Sequence, residues 1–167
     1  MQRKVSTSTT VARLPADLVA GAAAGALAGG LAALAYLAEM YADMAVLNHH
    51  YDEVRVIGRA ITRDRWWPVV GVIGNLLAGA GAGAFYGAFV APRFRVPPVA
   101  GGLIFAQIEN GTLYPPVMPL IDRFHPDIRQ GLMPRSFTPL SFVEAVLRHV
   151  AYGVALGWLY PRVRQHL

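Results

Sequence analysis

Cysteine is absent from this sequence, and charged residues are scarce. Without cysteine the chain has no disulfide bond, thiolate nucleophile, iron–sulfur cluster or cysteine-based zinc site. Any bound metal would have to be held by His, Asp or Glu. Only 15% of the 167 residues are charged, whereas 54% are hydrophobic and the mean hydropathy is +0.38. This balance lies outside the usual range of soluble domains and predicts a membrane protein.

The few charges are mostly basic, which gives a net charge of +5 and a pI near 10.0. Such a balance indicates a nucleic-acid binder when the basic residues line one surface. Here they fall in short clusters between apolar stretches, as they do in the loops of a polytopic membrane protein. We therefore predict a lipid bilayer, and not nucleic acid, as the surroundings of this chain.

Four apolar stretches are long enough to cross a bilayer, which requires about 20 residues. They cover residues 18–38, 67–91, 99–120 and 137–160. The first is expected to continue as helix through Glu39, Asp43 and Leu47. The sequence thus predicts an all-α fold: a single integral membrane domain over residues 1–167 with four transmembrane helices.

The segment between the first two stretches, residues 51–65, has Val54, Ile57 and Ile61 at helical spacing among charged side chains. A helix with this pattern lies in the membrane surface with its apolar face inward. We predict a short amphipathic surface helix here.

Both termini are expected on one side of the membrane, because four crossings are an even number. Lys and Arg do not decide which side, since the two tails and the second loop hold as many as the first and third loops. The loop acids favour cytoplasmic termini in a bacterial inner membrane, and the balance also permits dual topology. The basic, hydroxyl-rich start resembles a targeting segment. The apolar run behind it exceeds the ~7–15 residues of a signal-peptide core, so we expect a retained first helix.

Glycine recurs every four residues in the first two stretches. Rows of small residues let helix backbones approach closely, which drives helix association in lipid. A phosphate-binding glycine loop is the alternative, but no strand precedes these glycines and no Lys-Ser/Thr follows them. We predict a glycine-zippered hairpin packed through Gly21, Gly25, Gly29, Gly79, Gly83 and Gly87.

The third stretch contains "AQIENGTLYPPVMPL", residues 106–120. Glu109 falls near its midpoint, so this acid is expected deep in the membrane and turned away from lipid. The prolines that follow remove backbone donors and predict a broken or kinked second half. The predicted break lies at Pro115, Pro116 and Pro119.

The fourth stretch brings further ionisable residues to mid-membrane. Arg148 and His149 lie at its midpoint, and Glu144 precedes Arg148 by one helical turn. We predict an intramembrane polar cluster that is either structural, with Glu144 and Arg148 as an ion pair, or a site that handles protons or cations. Its members would be Glu109, Glu144, Arg148, His149, Asn75 and Gln107.

The loop histidines are the weak candidates for a metal site. His49 and His50 in the first loop, with His125 and Asp127 in the third, are predicted on one side of the membrane. A divalent ion would require two unconnected loops to meet, so separate solvated residues are the simpler expectation. In the same loop Asp127 with Arg129 predicts a salt-bridged turn.

No metal or other cofactor is predicted, and no catalytic set of residues is evident. The sequence has no Ser/His/Asp arrangement and no nucleotide loop. An enzyme would have to use Glu109 or His149 as a general base at membrane depth. We therefore expect a non-enzymatic protein, with membrane catalysis as the less favoured reading.

The stretch "PVAGGLIFAQIENGTLYPPVMPL", followed after a polar loop by "SFVEAVLRHVAYGVALGW", resembles the second half of small YagU-type bacterial inner-membrane proteins. These have a Gly/Ala-rich span with a glutamine and a proline-broken end, then a last span with an acid and a histidine. The resemblance covers residues 98–160. It implies a four-span membrane protein and no defined biochemical activity.

Two functions from different classes follow from these observations. The first is a small membrane subunit or interaction protein that packs against other transmembrane helices or against a second copy of itself. The alternative is a small proton- or cation-coupled transporter or channel using Glu109, Glu144, Arg148 and His149. Small-residue faces turned to lipid would favour the first, and an accessible Glu109 would favour the second.

Overall fold

A computed structural model of the protein describes residues 16–167. The basic amino tail, on which the targeting and charge-balance predictions partly depend, lies outside the described residues. No residue of the described range belongs to a β-strand, so the all-α prediction is confirmed there. The helices are α1 (Ala16–Leu47), α2 (Glu53–Ile61), α3 (Trp67–Phe85) with a π-helical turn (Tyr86–Val90), α4 (Pro98–Phe124), α5 (Pro126–Arg129) and α6 (Pro139–Arg164).

Three of these helices are long and apolar enough to cross a membrane: α1, α3 with its π-helical turn, and α6. Helix α4 has sufficient length, at 27 residues. It falls outside this set because Glu109, Asn110 and Asp122 lower its hydropathy. The fold is therefore that of a helical protein compatible with multi-pass membrane insertion.

Helix α1 continues beyond its apolar run to Leu47, as predicted. Asn48, the next residue, has a φ of 50°, the left-handed conformation in which helices commonly end and which asparagine tolerates. Asp52 caps the start of α2, because its side chain accepts a hydrogen bond from the backbone N–H of Arg55 at 3.1 Å. Helix α2 is shorter than the predicted segment, and Val54 packs inward instead of facing lipid.

Helices α1 and α3 approach so closely that side chains are excluded between them. A Cβ atom added to Gly25 would overlap the backbone of Gly83, which is the close approach that rows of small residues permit. The facing pairs are Gly21 with Gly87, Gly25 with Gly83, and Gly29 with Gly79.

Helix α4 is continuous through its prolines, so the predicted break is corrected. Each proline removes one backbone donor and disfavours helix, but tertiary contacts hold the same turns in place. The Tyr114 hydroxyl donates to the carbonyl oxygen of Ser136 at 2.5 Å, and Met118 packs against buried Tyr51. Packing therefore outweighs the local preference of the prolines.

Helices α1 and α6 pack against each other at the centre, with α3 against α1 and α4 against α6. The two outer helices converge where Tyr86 meets Phe105, with ring centroids 5.2 Å apart. Towards α2, helices α3 and α4 diverge. They leave a cleft between them that is also lined by residues of α1, α2 and α6.

Candidate functional site

Arg148 lies at the centre of a buried ionic cluster where the end of α1 meets α6. Its side chain is 0% exposed. Nε and Nη2 donate to the two carboxylate oxygens of Asp43 at 2.7 and 2.9 Å, and Nη1 donates to Glu53 at 3.3 Å. Two-pronged guanidinium–carboxylate contacts are among the strongest charge-assisted hydrogen bonds, so the arginine is firmly held.

Two tyrosines complete the surroundings of this arginine. The Tyr36 hydroxyl donates to Oε1 of Glu53 at 2.6 Å, and the Tyr51 ring lies 5.1 Å from the guanidinium carbon. Burial raises the pKa of Tyr51 well above its usual range. The ring therefore stays neutral and offers its face to the cation.

A contact between a histidine and a buried carboxyl group adjoins this arginine site. His49 Nδ1 donates to Glu144 at 2.8 Å, and Glu144 is completely buried. On the same helix, His149 Nδ1 donates to the carbonyl oxygen of Ala145 at 2.7 Å, and its ring packs edge-on against Tyr36. The loop after α1 thus supplies a hydrogen-bond partner for Glu144.

Glu39 gives the cluster an excess of acid. It lies one helical turn before Asp43 on the same helix. Its Oε2 atom is buried and has no hydrogen-bond partner among residues 16–167. Arg148, the permanent cation of the cluster, binds two of its carboxyl groups, those of Asp43 and Glu53, and forms no salt bridge with Glu39. We call Glu39, Asp43, His49, Glu53, Glu144 and Arg148 the Arg148 cluster.

The cleft between α3 and α4 has a volume of about 280 Å³ and is partly open. We call it the α3–α4 cleft. Glu53 and Tyr36 line both the cleft and the Arg148 cluster, so the cleft leads to the buried charges. Its other polar lining residues are Asn75, Glu109, Asn110, Tyr114, His149 and Tyr152.

The predicted polar cluster is divided between these two places. Arg148 pairs with Asp43 and Glu53, so the predicted ion pair between Glu144 and Arg148 is corrected. Glu109 lies in the cleft instead. The prediction considered only residues near the middle of each span. Arg148 instead contacts Asp43, which lies near the polar end of α1.

The other predicted neighbours also have defined places. Gln107 donates to the carbonyl oxygen of Val146 at 3.2 Å and so joins α4 to α6. Asn75 and His149 line the cleft with Glu109. Glu39 and Asp43 were not predicted as members of the polar cluster. Their spacing of four residues on the polar extension of α1 is the pattern that could have identified them.

The predicted metal candidates do not converge. His49 binds Glu144, exposed His50 stands apart, and His125 donates from Nε2 to the carbonyl oxygen of Val56 at 3.1 Å. Asp127 is bound by arginines. Within the part of the chain that the structure describes, no three His, Asp or Glu side chains are placed to hold a metal ion.

Asp127 anchors α2 to α5, and its partners differ from the predicted Arg129. Arg55 and Arg59 donate to its Oδ2 atom at 2.8 and 3.4 Å. Burial acts to raise the pKa of Asp127, but the hydrogen bonds and charges of the two arginines outweigh it and hold the pKa below its usual range. The ionised form is therefore favoured in the folded state.

Replacing Asp127 by Asn is expected to lower the free energy of unfolding at pH 7 by about 1–2 kcal/mol. A carboxyl group whose pKa is lower in the folded state than in the unfolded state stabilises the fold at pH values above the unfolded-state pKa. That stabilisation is lost as the pH falls through the folded-state pKa. The difference in free energy of unfolding between the wild type and Asp127→Asn should therefore shrink when both are measured from pH 7 down to pH 3. Exposed Asp17→Asn is the control, and a constant gap across this range would contradict the expectation.

No protein-family model, curated protein or solved structure matches the chain. The fold and the site by themselves define its class: a helical protein with three helices suited to crossing a membrane and a buried ionic cluster beside a cleft.

Proposed function

We propose that this chain is a small proton- or cation-coupled membrane transporter or channel whose ion site is the Arg148 cluster. The observation that carries the proposal is the buried, unpartnered oxygen of Glu39 beside Asp43. Ionisable groups are costly inside a membrane protein and commonly mark ion or proton pathways.

The charge balance of the cluster supports this function. Arg148 neutralises one of the three carboxylates around it, and His49, when protonated, neutralises Glu144. A buried carboxylate without a partner is strongly disfavoured, so the remaining acid takes up a proton or a small cation. Glu39 is the seat of that ion, because its Oε2 atom is buried without a partner while Asp43 is held on both oxygens by Arg148.

The α3–α4 cleft supplies an access route to this seat. It reaches Glu53 and Tyr36, and the Tyr36 hydroxyl, Glu53 and Arg148 form a continuous hydrogen-bonded chain to Asp43. An ion bound at Glu39 next to Asp43 weakens the hold of Asp43 on Arg148, which frees the guanidinium to shift towards Glu53. Ion binding is thereby coupled to the α1–α6 contact.

Four membrane crossings belong to the same proposal. At about 1.5 Å per residue, 27-residue α4 extends roughly 40 Å, enough to cross a bilayer. Its packing along α6 supports this placement, since Gly102 lies against Gly153 and Gly157 without room for side chains. Four spans place both termini on one side, cytoplasmic by the distribution of acids, as in the YagU-type inner-membrane proteins that the sequence resembles.

The first function predicted from the sequence, a subunit that packs against other transmembrane helices, was based on the glycine rows. These rows face each other inside the bundle, between α1 and α3. The six glycines of these rows therefore contact each other within one chain, and they are not evidence for an external partner. Intact-complex mass spectrometry after gentle detergent extraction tests this alternative, and a stoichiometric protein partner would favour it.

Replacing Glu39 by Gln is expected to reduce ion flux at least about tenfold, because a carboxamide cannot take up a proton. Fluxes of H⁺, Na⁺ and K⁺ are measured in proteoliposomes with ion-sensitive dyes. The fold should be retained, since Glu39 forms no salt bridge with any residue of the described range. Asp17→Asn is the exposed control. Wild-type flux no greater than that of empty liposomes for all three ions would refute the proposed function.

A further inference from the structure

We infer that the α3–α4 cleft binds an organic ammonium ion with an apolar body, which makes this class of cation the substrate of the proposed transporter. The inference therefore rests on the proposed function and adds the chemistry of the ligand.

The charge of the cleft lining favours a cation. Two acids, Glu53 and Glu109, are among the lining residues, and no Lys or Arg is. Glu53 is already bound by Arg148 and Tyr36. Glu109 forms no ion pair with any residue from 16 to 167, so its carboxylate is the natural counter-ion for a positively charged ligand.

Aromatic residues in the lining favour an ammonium group over a metal ion. Tyr36, Tyr114 and Tyr152 line the cleft, and each hydroxyl already donates to another residue. What these tyrosines offer a ligand is aromatic surface, which attracts alkylammonium groups. Asn75 and Asn110 add carboxamide oxygens that accept hydrogen bonds from N–H groups.

The size and the remaining lining define the apolar body. A cavity of 150 Å³ is enough to bind benzene, and the cleft of about 280 Å³ has room for a ring with a short substituted chain. Alanine, leucine and valine side chains supply most of its other walls, including Ala78, Ala82, Leu113 and Val117. Such a ligand reaches the cleft from the bilayer between α3 and α4.

Benzyltrimethylammonium is the probe, because its charge does not depend on pH, and benzyl alcohol is the neutral control with the same ring. Binding to the full chain in nanodiscs is measured by isothermal titration calorimetry, with empty nanodiscs subtracted. We expect saturable binding of the cation to the wild type. The affinity of Glu109→Gln for the cation should be about tenfold weaker, which corresponds to the loss of one ion-pair or cation–π contact. Affinity for benzyl alcohol should change less than about twofold.

Ala78→Leu provides a second variant that fills the cleft without altering charge, and it should abolish binding of both probes. Gly81→Leu on the same helix is its matched control, since nothing lies within 4 Å of a Cβ atom added there. Unchanged cation affinity in both Glu109→Gln and Ala78→Leu would overturn the inference. So would tighter binding of benzyl alcohol than of the cation by the wild type. Proton flux without cation binding would overturn this inference alone, whereas cation binding without any ion flux would overturn the transport function and leave the α3–α4 cleft as a binding site only.

Discussion

Replacing Arg148 by Met is expected to lower the free energy of unfolding by about 3–5 kcal/mol, the cost of removing one partner from a buried ion pair. Asp43 and Glu53 would then be left in the bundle without their cation. For a chain of this size the loss corresponds to a fall in melting temperature of roughly 6–20 °C. Thermal unfolding in detergent, followed by tryptophan fluorescence, measures it.

Two further variants separate charge from volume. Arg148→Met combined with Asp43→Asn should recover part of the loss, because one uncompensated carboxylate is removed with the cation. Arg162→Met is the matched control on the same helix, since Arg162 contacts Trp158 at the surface and binds no acid among residues 16–167. Equal melting temperatures for Arg148→Met and Arg162→Met would show that the buried ion pair does not stabilise this fold.

Replacing Gly25 by Leu is expected to destabilise the protein by about 3 kcal/mol or more, at the upper end of over-packing costs. The new side chain would meet the backbone of Gly83, which cannot rotate away as a side chain does. Helices α1 and α3 would have to separate along their shared contact. Unfolding in detergent measures the loss.

Gly81→Leu is the control for this substitution. Gly81 lies on α3 near Gly83, but the space around it is open. Leucine there should leave stability unchanged or raise it by up to about 1 kcal/mol, because leucine favours helix more than glycine does. If Gly25→Leu and Gly81→Leu unfold alike, close approach of α1 and α3 is not what holds the hairpin together.

The helices could be predicted from the sequence because their signals are local. Apolar length fixed the position of α1, α3 and α6, and the helical extension through Asp43 was confirmed. The continuity of α4 was mispredicted because proline preference is also local, whereas the contacts that override it are not. Tyr114 binds a carbonyl oxygen from the loop after α5, a partner that spacing along the chain does not identify.

The site was predicted in part for the same reason. Arg148, His149 and Glu144 were recognisable as ionisable residues within an apolar stretch. Their partners were not, since Asp43 is 105 residues from Arg148 and His49 is 95 residues from Glu144. Glu53 belongs to a segment interpreted from the sequence only as a surface helix.

The sequence by itself determined that this protein is helical, apolar and without cysteine chemistry, and that acids and an arginine lie among its apolar helices. These properties follow from composition and from helical periodicity, which act within one segment. Only the tertiary structure decided which acids share Arg148, and that Glu109 lies apart from them in a cleft. Both outcomes depend on the direction of long side chains and on the divergence of α3 from α4, which are set by packing between distant segments.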